Sequence, residues 1–142
     1  MFMGEYQHSL DEKGRLIIPA KFREDLGERF IITRGLDNCL FVYPLDQWKQ
    51  LQEKIHALPA QAETRSFTRM FFSGAVEAEL DKQGRVVIPQ HLREHAGIER
   101  DVYSIGVSTK VEIWAKESWE QYSNRAKQSY QEIAETIINI GI

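Results

Sequence analysis

The sequence predicts a mainly β protein with short helices, of the α+β class, built from two copies of one module. Three observations carry this prediction. Residues 10–24 recur seventy positions later as residues 80–94. Short runs of branched apolar residues follow each copy's turn, and a proline then opens a helix-length segment. Such a repeat, once found, governs every later reading of the chain.

In the repeat, Leu, Asp, Gly, Arg, Ile, Pro, Arg and Glu return at equivalent places. Leu16, Ile17 and Phe22 are replaced only by the apolar Val86, Val87 and Leu92. Residues 40–48 and 111–119 continue the likeness more faintly after a one-residue shift. Each copy spans about 45 residues, too few to bury a stable core alone. The two are therefore expected to pack on each other about a pseudo-twofold axis.

Residues 7–10 and 76–80 read as strands, the second alternating apolar and charged residues with period two. Asp-x-x-Gly-Arg reads as a tight turn, where Gly14 or Gly84 takes positive φ at little steric cost. Leu16-Ile17-Ile18 and Val86-Val87-Ile88 are strands ended by Pro19 and Pro89. Proline presets φ for a first helical turn, so a short helix through Arg23 or Arg93 follows, stopping near Gly27 or Gly97. Two more strands complete each copy, at 30–33 with 40–43 and at 102–105 with 111–114.

Between the copies, Leu45, Trp48, Leu51, Ile55 and Leu58 recur at helical spacing until Pro59. Phe67, Met70 and Phe71 mark a second helix ending near Gly74. After the second copy, Trp119, Tyr122, Ala126, Ile133, Ile137 and Ile140 line one side of a single terminal helix. Packing within the subunit is the ordinary use of such apolar faces, and a partner interface the other. The expected organisation is a first module over 5–48, a helical connector over 49–75, a second module over 76–119 and a C-terminal helix over 120–142.

Composition narrows the function. A hydrophobic content of 42% with 27% charged residues is that of a soluble globular protein. No run approaches the roughly 18 apolar residues of a membrane span. The start, Met1-Phe2-Met3-Gly4-Glu5-Tyr6, lacks the basic and apolar regions of a secretory signal, so a cytoplasmic location is expected. Cys39 is alone, which excludes an intramolecular disulfide and a thiolate metal cluster. A net charge of −3 gives no global electrostatic attraction for nucleic acid. A DNA-binding role would need positive charge gathered locally or by assembly of several copies.

The chemistry concentrates at the turns. Asp11 and Asp81 can accept backbone N–H bonds across them and can pair with Arg15 and Arg85, which alone would only fix the hairpin. An exposed turn pair of that kind adds about 0–1 kcal/mol. A planar guanidinium on a rigid turn also suits phosphate, or guanine O6 and N7. Lys13, Lys21 and Arg23 surround Arg15, and Lys82 and Arg93 accompany Arg85, with His91 adding charge at lower pH.

His91-Leu92-Arg93-Glu94-His95 matches an H-x-x-E-H zinc-hydrolase pattern, in which Glu94 would activate a zinc-bound water. The helix is short, the first copy has Lys21 and Asp25 in place of the histidines, and no downstream motif marks a third ligand. No G-x-S-x-G, Gly-rich phosphate loop or Cys-His pair occurs. The only basic helix is too short for a helix-turn-helix. Neither an enzymatic activity, a small-molecule substrate nor a metal or other cofactor is expected.

The two Asp-x-x-Gly-Arg copies, each running into a branched strand and proline, closely resemble the SpoVT/AbrB-type module. Two such modules in one chain, the opening residues and the Arg69-Met70-Phe71-Phe72-Ser73-Gly74 segment resemble the bacterial MraZ family of transcriptional regulators. The resemblance implies a swapped-hairpin fold, with the modules forming an intramolecular counterpart of a dimer. It also implies ring-shaped homo-oligomers that bind direct repeats in double-stranded DNA upstream of the division and cell-wall gene cluster, which includes the regulator's own gene. Arg15 and Arg85 are the implied DNA contacts, with Lys13 and Lys82 as neighbours and Asp11, Gly14, Asp81 and Gly84 supporting them. The second copy has Gln83 where the first has Lys13, which leaves open whether the copies contribute equally. The alternative is a non-enzymatic scaffold ring. A single-module antitoxin fits the duplicated chain poorly.

Overall fold

The computed structural model describes residues 1–137. In the first half, β1 (Glu5–Ser9) and β2 (Arg15–Ile17) flank the Asp-x-x-Gly-Arg turn, and Pro19 leads into α1 (Ala20–Leu26). Next come β3 (Arg29–Arg34), β4 (Leu40–Pro44), α2 (Leu45–His56) and α3 (Ala62–Ser73). The second half repeats the order with β5 (Val76–Glu79), β6 (Arg85–Val87), α4 (Gln90–Ala96), β7 (Asp101–Val107) and β8 (Lys110–Ala115). It ends in α5 (Lys116–Gln128) and α6 (Tyr130–Thr136). Proline stands at the N-cap of α1, α2 and α4, where its missing N–H costs no helical bond. Helix α2 begins at Leu45, inside the span expected for the first module.

The halves interleave. Six strands form one antiparallel sheet in the order β1-β7-β8-β4-β3-β5, and β2 pairs with β6 in a separate two-stranded ribbon. Thus β1 of the first half lies on β7 of the second, and β5 of the second lies on β3 of the first. The pairing of β4 with β8 sits at the centre and relates the halves by a pseudo-twofold axis. This is the swapped-hairpin arrangement: each module's first strand lies against a strand of the other, and the second strands β2 and β6 pair with each other outside the large sheet.

One core lies between a face of the large sheet and the ribbon with α1 and α4. It includes Leu16, Phe22, Phe30 and Val42 from the first half and Val86, Leu92, Val102 and Ile113 from the second. Phe22 is 1% exposed and meets Phe2 and Tyr6 edge-on. Phe22→Ala is expected to cost about 3–5 kcal/mol, read as a lowered denaturant midpoint in equilibrium unfolding.

The opposite face carries an aromatic layer under α2, α3 and α5. Trp48 stacks on Phe71, while Trp114 meets Trp119 and Tyr122. Carbonyls in the last turn of α3, where helical donors run out, also accept side-chain donors from outside the helix. Thr33 Oγ1 donates to Phe71 O at 2.5 Å, and Arg34 Nη1 donates to Met70 O at 2.6 Å. Cys39 lies fully buried in this layer, and burial pushes its thiol pKa up.

The single terminal helix expected from the apolar spacing is two helices, broken at Ser129. Helix α5 rests on β7 and β8, whereas α6 buries no residue, so packing does not stabilise a continuous helix across the junction. Tyr122, Ile133 and Ile137 are exposed. Ile140 lies outside the described residues.

Candidate nucleic-acid interface

The two repeat turns fold alike, bond for bond. In the first, Asp11 Oδ1 accepts the backbone N–H groups of Lys13 and Arg15, each at 2.9 Å. Its Oδ2 accepts Arg15 Nε at 2.6 Å. In the second, Asp81 Oδ1 accepts from the N–H groups of Gln83 and Arg85 at 2.9 Å, and Oδ2 accepts Arg85 Nε at 2.8 Å. Backbone bonds from Gly14 N to Asp11 O and from Gly84 N to Asp81 O close the turns. The spacing of Asp and Arg is thereby explained: one carboxylate organises the turn and fixes the guanidinium.

The glycines have a double reason. Gly14 and Gly84 have φ of 75° and 76°, a region that costs other residues strain. In addition, a Cβ on Gly84 would lie 2.3 Å from Arg23 Cζ, and one on Gly14 would touch Arg93. Arg23 Nε donates to Ile18 O at 2.8 Å beneath the turn. Arg23 and Arg93, expected with the outer basic cluster, instead brace the opposite module's turn from below. Arg93 Nε finds no acceptor among the described residues, so the two braces are not equivalent.

The turns are brought together by the ribbon. Arg15 stands opposite Val87, Leu16 opposite Val86 and Ile17 opposite Arg85. Ile18 N donates to Gly84 O and Ile88 N to Gly14 O, each at 2.9 Å, locking each strand to the other module's turn. Leu16 and Val86 point into the core. The pleat therefore puts Arg15, Ile17, Arg85 and Val87 on the outer face. Arg85 Nη1 also lies 3.9 Å from Asp11 Oδ2, linking the two turns. Lys13 and Lys82 are exposed on the turns and have no carboxylate partner among the described residues.

Backbone N–H donation from Arg15 and Arg85, reinforced by their side chains, holds the Asp11 and Asp81 carboxyls below their ordinary pKa of 3.8, against the opposing effect of desolvation. A carboxyl with a folded pKa below its unfolded value adds stability above the unfolded pKa, lost as pH falls through the folded one. The Asp11→Asn, Asp81→Asn double variant is expected to be less stable at neutral pH. Its stability should also fall less between about pH 4 and pH 2, measured by urea unfolding across that range.

The two histidines of the H-x-x-E-H pattern are engaged elsewhere. His91 Nε2 lies 3.0 Å from Gly74 O, at the end of α3, and His95 Nε2 lies 3.2 Å from Gly35 O. Among the described residues, no group of three potential ligands is placed to hold a metal. No helix among them is long and apolar enough to cross a membrane.

The sequence assigns four of these residues to each turn, and the β2–β6 pairing brings the two turns to opposite ends of one ribbon. In the sequence, Ile17 and Val87 stand only as strand residues. Their outward position follows from the period-two pleat beside buried Leu16 and Ile18.

Two interleaved halves carrying paired Asp-x-x-Gly-Arg turns define a tandem SpoVT/AbrB-type swapped-hairpin protein. The family model described as "MraZ protein, putative antitoxin-like" matches residues 1–70 and again residues 71–140. A protein named transcriptional regulator MraZ from Caldanaerobacter subterraneus subsp. tengcongensis is 62% identical over 143 aligned positions, spanning all of both chains. Its namesake from Syntrophomonas wolfei subsp. wolfei is 59% identical over the same extent. The chain belongs to the MraZ family.

Proposed function

We propose that the protein is a cytoplasmic, nucleoid-associated transcriptional regulator that grips double-stranded DNA with the outer face of the β2–β6 ribbon. The carrying observation is the pair of guanidinium groups held by Asp11 and Asp81 on an outward two-stranded ribbon. A major groove about 12 Å wide admits such a ribbon. The aspartates engage Nε, and among the described residues the Arg15 Nη atoms have no hydrogen-bond acceptor. A guanidinium edge so positioned suits guanine O6 and N7, or a phosphate. Lys13 and Lys82 supply phosphate contacts beside it.

Charge favours assembly. The four cations of the two turns share them with Asp11, Glu12 and Asp81, so a single subunit attracts DNA weakly. A ring homo-oligomer would set several ribbons on one rim, and direct repeats in DNA would then be read by successive subunits with gain from linkage. Family membership supports the division and cell-wall gene cluster, the regulator's own gene included, as the target. Selection of duplexes from a random pool by the full-length protein tests this reading. Enrichment of a repeated motif is expected. Recovery of no sequence preference, with assembly intact, would favour a scaffold ring.

A further inference from the structure

The outer face of the ribbon is not uniformly basic. Ile17 and Val87 are 42% and 54% exposed there, beside half-buried arginines. The register makes a chequerboard, with Arg15 opposite Val87 and Ile17 opposite Arg85 across the central Leu16–Val86 pair. We propose that Ile17 and Val87 are specificity-determining residues that read the C5-methyl groups of thymine in the major groove. This inference rests on the DNA-binding reading of the same ribbon.

The occupant follows from the company the aliphatic side chains keep. Any partner that covers Ile17 and Val87 must also cover Arg15 and Arg85. A protein surface would have to desolvate two guanidinium groups and satisfy their remaining donors. A major groove offers acceptor edges for the arginines and, at thymine alone among the four bases, an exposed methyl for the aliphatic groups. The flanking Lys13 and Lys82 complement the phosphates on either side.

Spacing makes the inference specific. Directly opposed side chains in an antiparallel pair stand about 5 Å apart, and same-face neighbours along a strand about 7 Å. Successive bases on one strand rise about 3.4 Å. A thymine is therefore expected within about two base pairs of each guanine read by an arginine. The pseudo-twofold axis should place one such thymine on either side of the ribbon's centre.

The test uses the full-length protein and a duplex it selects from a random pool, with single thymines replaced by deoxyuridine. Loss of the methyl within two base pairs of the guanine should weaken binding about fourfold, the affinity equivalent of burying one methyl-sized group. Ile17→Ala should bind the parent duplex more weakly and be indifferent to the same replacement. Val87→Ala should behave likewise at the related position. Both variants should keep the parent's sedimentation behaviour, since a changed assembly would show these side chains to be a subunit contact instead. Equal binding of thymine and deoxyuridine duplexes overturns the inference while leaving DNA binding standing. So does a selected motif without thymine near its guanines, or an Ile17→Ala protein that retains full methyl sensitivity. Failure to select any duplex removes both readings together.

Discussion

Arg15→Ala is expected to weaken binding of a selected duplex by about 5- to 150-fold while leaving the fold and assembly intact. The range corresponds to the roughly 1–3 kcal/mol of discrimination that a bidentate arginine–guanine pair supplies. Its side chain is 30% exposed, and its bond to Asp11 involves Nε alone among the described contacts. Removing it deletes the outward donors and leaves Asp11 still bonded to the backbone N–H groups of Lys13 and Arg15. The turn should survive. Arg15→Lys should restore little of the loss, because an ammonium cannot present two parallel donors from a fixed plane. Titration at several salt concentrations separates the possible roles. A base-reading arginine relaxes the preference at one position, whereas a phosphate contact weakens all sequences and lowers the salt slope by about one. Unchanged affinity at fixed salt would remove Arg15 from the interface.

Arg85 has the same bonds within its own turn, so Arg85→Ala is expected to weaken binding as well. The difference between the copies lies around the arginines. Gln83 replaces the cationic Lys13, Lys82 replaces the anionic Glu12, and Arg85 alone approaches the other module's aspartate, at 3.9 Å.

Much of this arrangement is legible in the sequence because local rules decide it. The Asp-x-x-Gly-Arg spacing sets the turn, Pro19 and Pro89 set the helix starts, and branched apolar triplets set the ribbon. What stays hidden is the choice of partner strand. Nothing in residues 5–9 says that they pair with β7 rather than with a strand of their own half, because the alternation that buries one face is satisfied by either. The inward turn of Arg23 and Arg93 is hidden for a related reason. Their bracing role appears only when the other module's glycine lies against them. The break at Ser129 is invisible in the sequence because apolar spacing continues across it, while the sheet that rewards a helix does not.

The interleaving has a consequence larger than any point change. A fragment comprising residues 1–75 alone is expected to form no folded monomer. It would keep β1, β2, β3 and β4 but lose the partners of each outside the β3–β4 pair: β7 for β1, β6 for β2, β5 for β3 and β8 for β4. Leu16, Ile18 and Phe22 would lose Val86, Ile88 and Leu92 from the shared core. Half of a core, with β1 and β2 left without partners, cannot offset the conformational entropy of ordering the chain. Two outcomes remain open to the fragment. It stays unfolded, or two copies exchange hairpins so that β1 of one takes β3 of the other, reproducing the pseudo-twofold as a true one. Far-UV circular dichroism with sedimentation distinguishes these, and addition of residues 76–142 should restore a one-to-one folded complex. A monomeric fragment that melts cooperatively would show each module to be self-sufficient. The duplication would then serve DNA recognition alone, whereas interleaving makes the second copy necessary for the first to hold Arg15 in place.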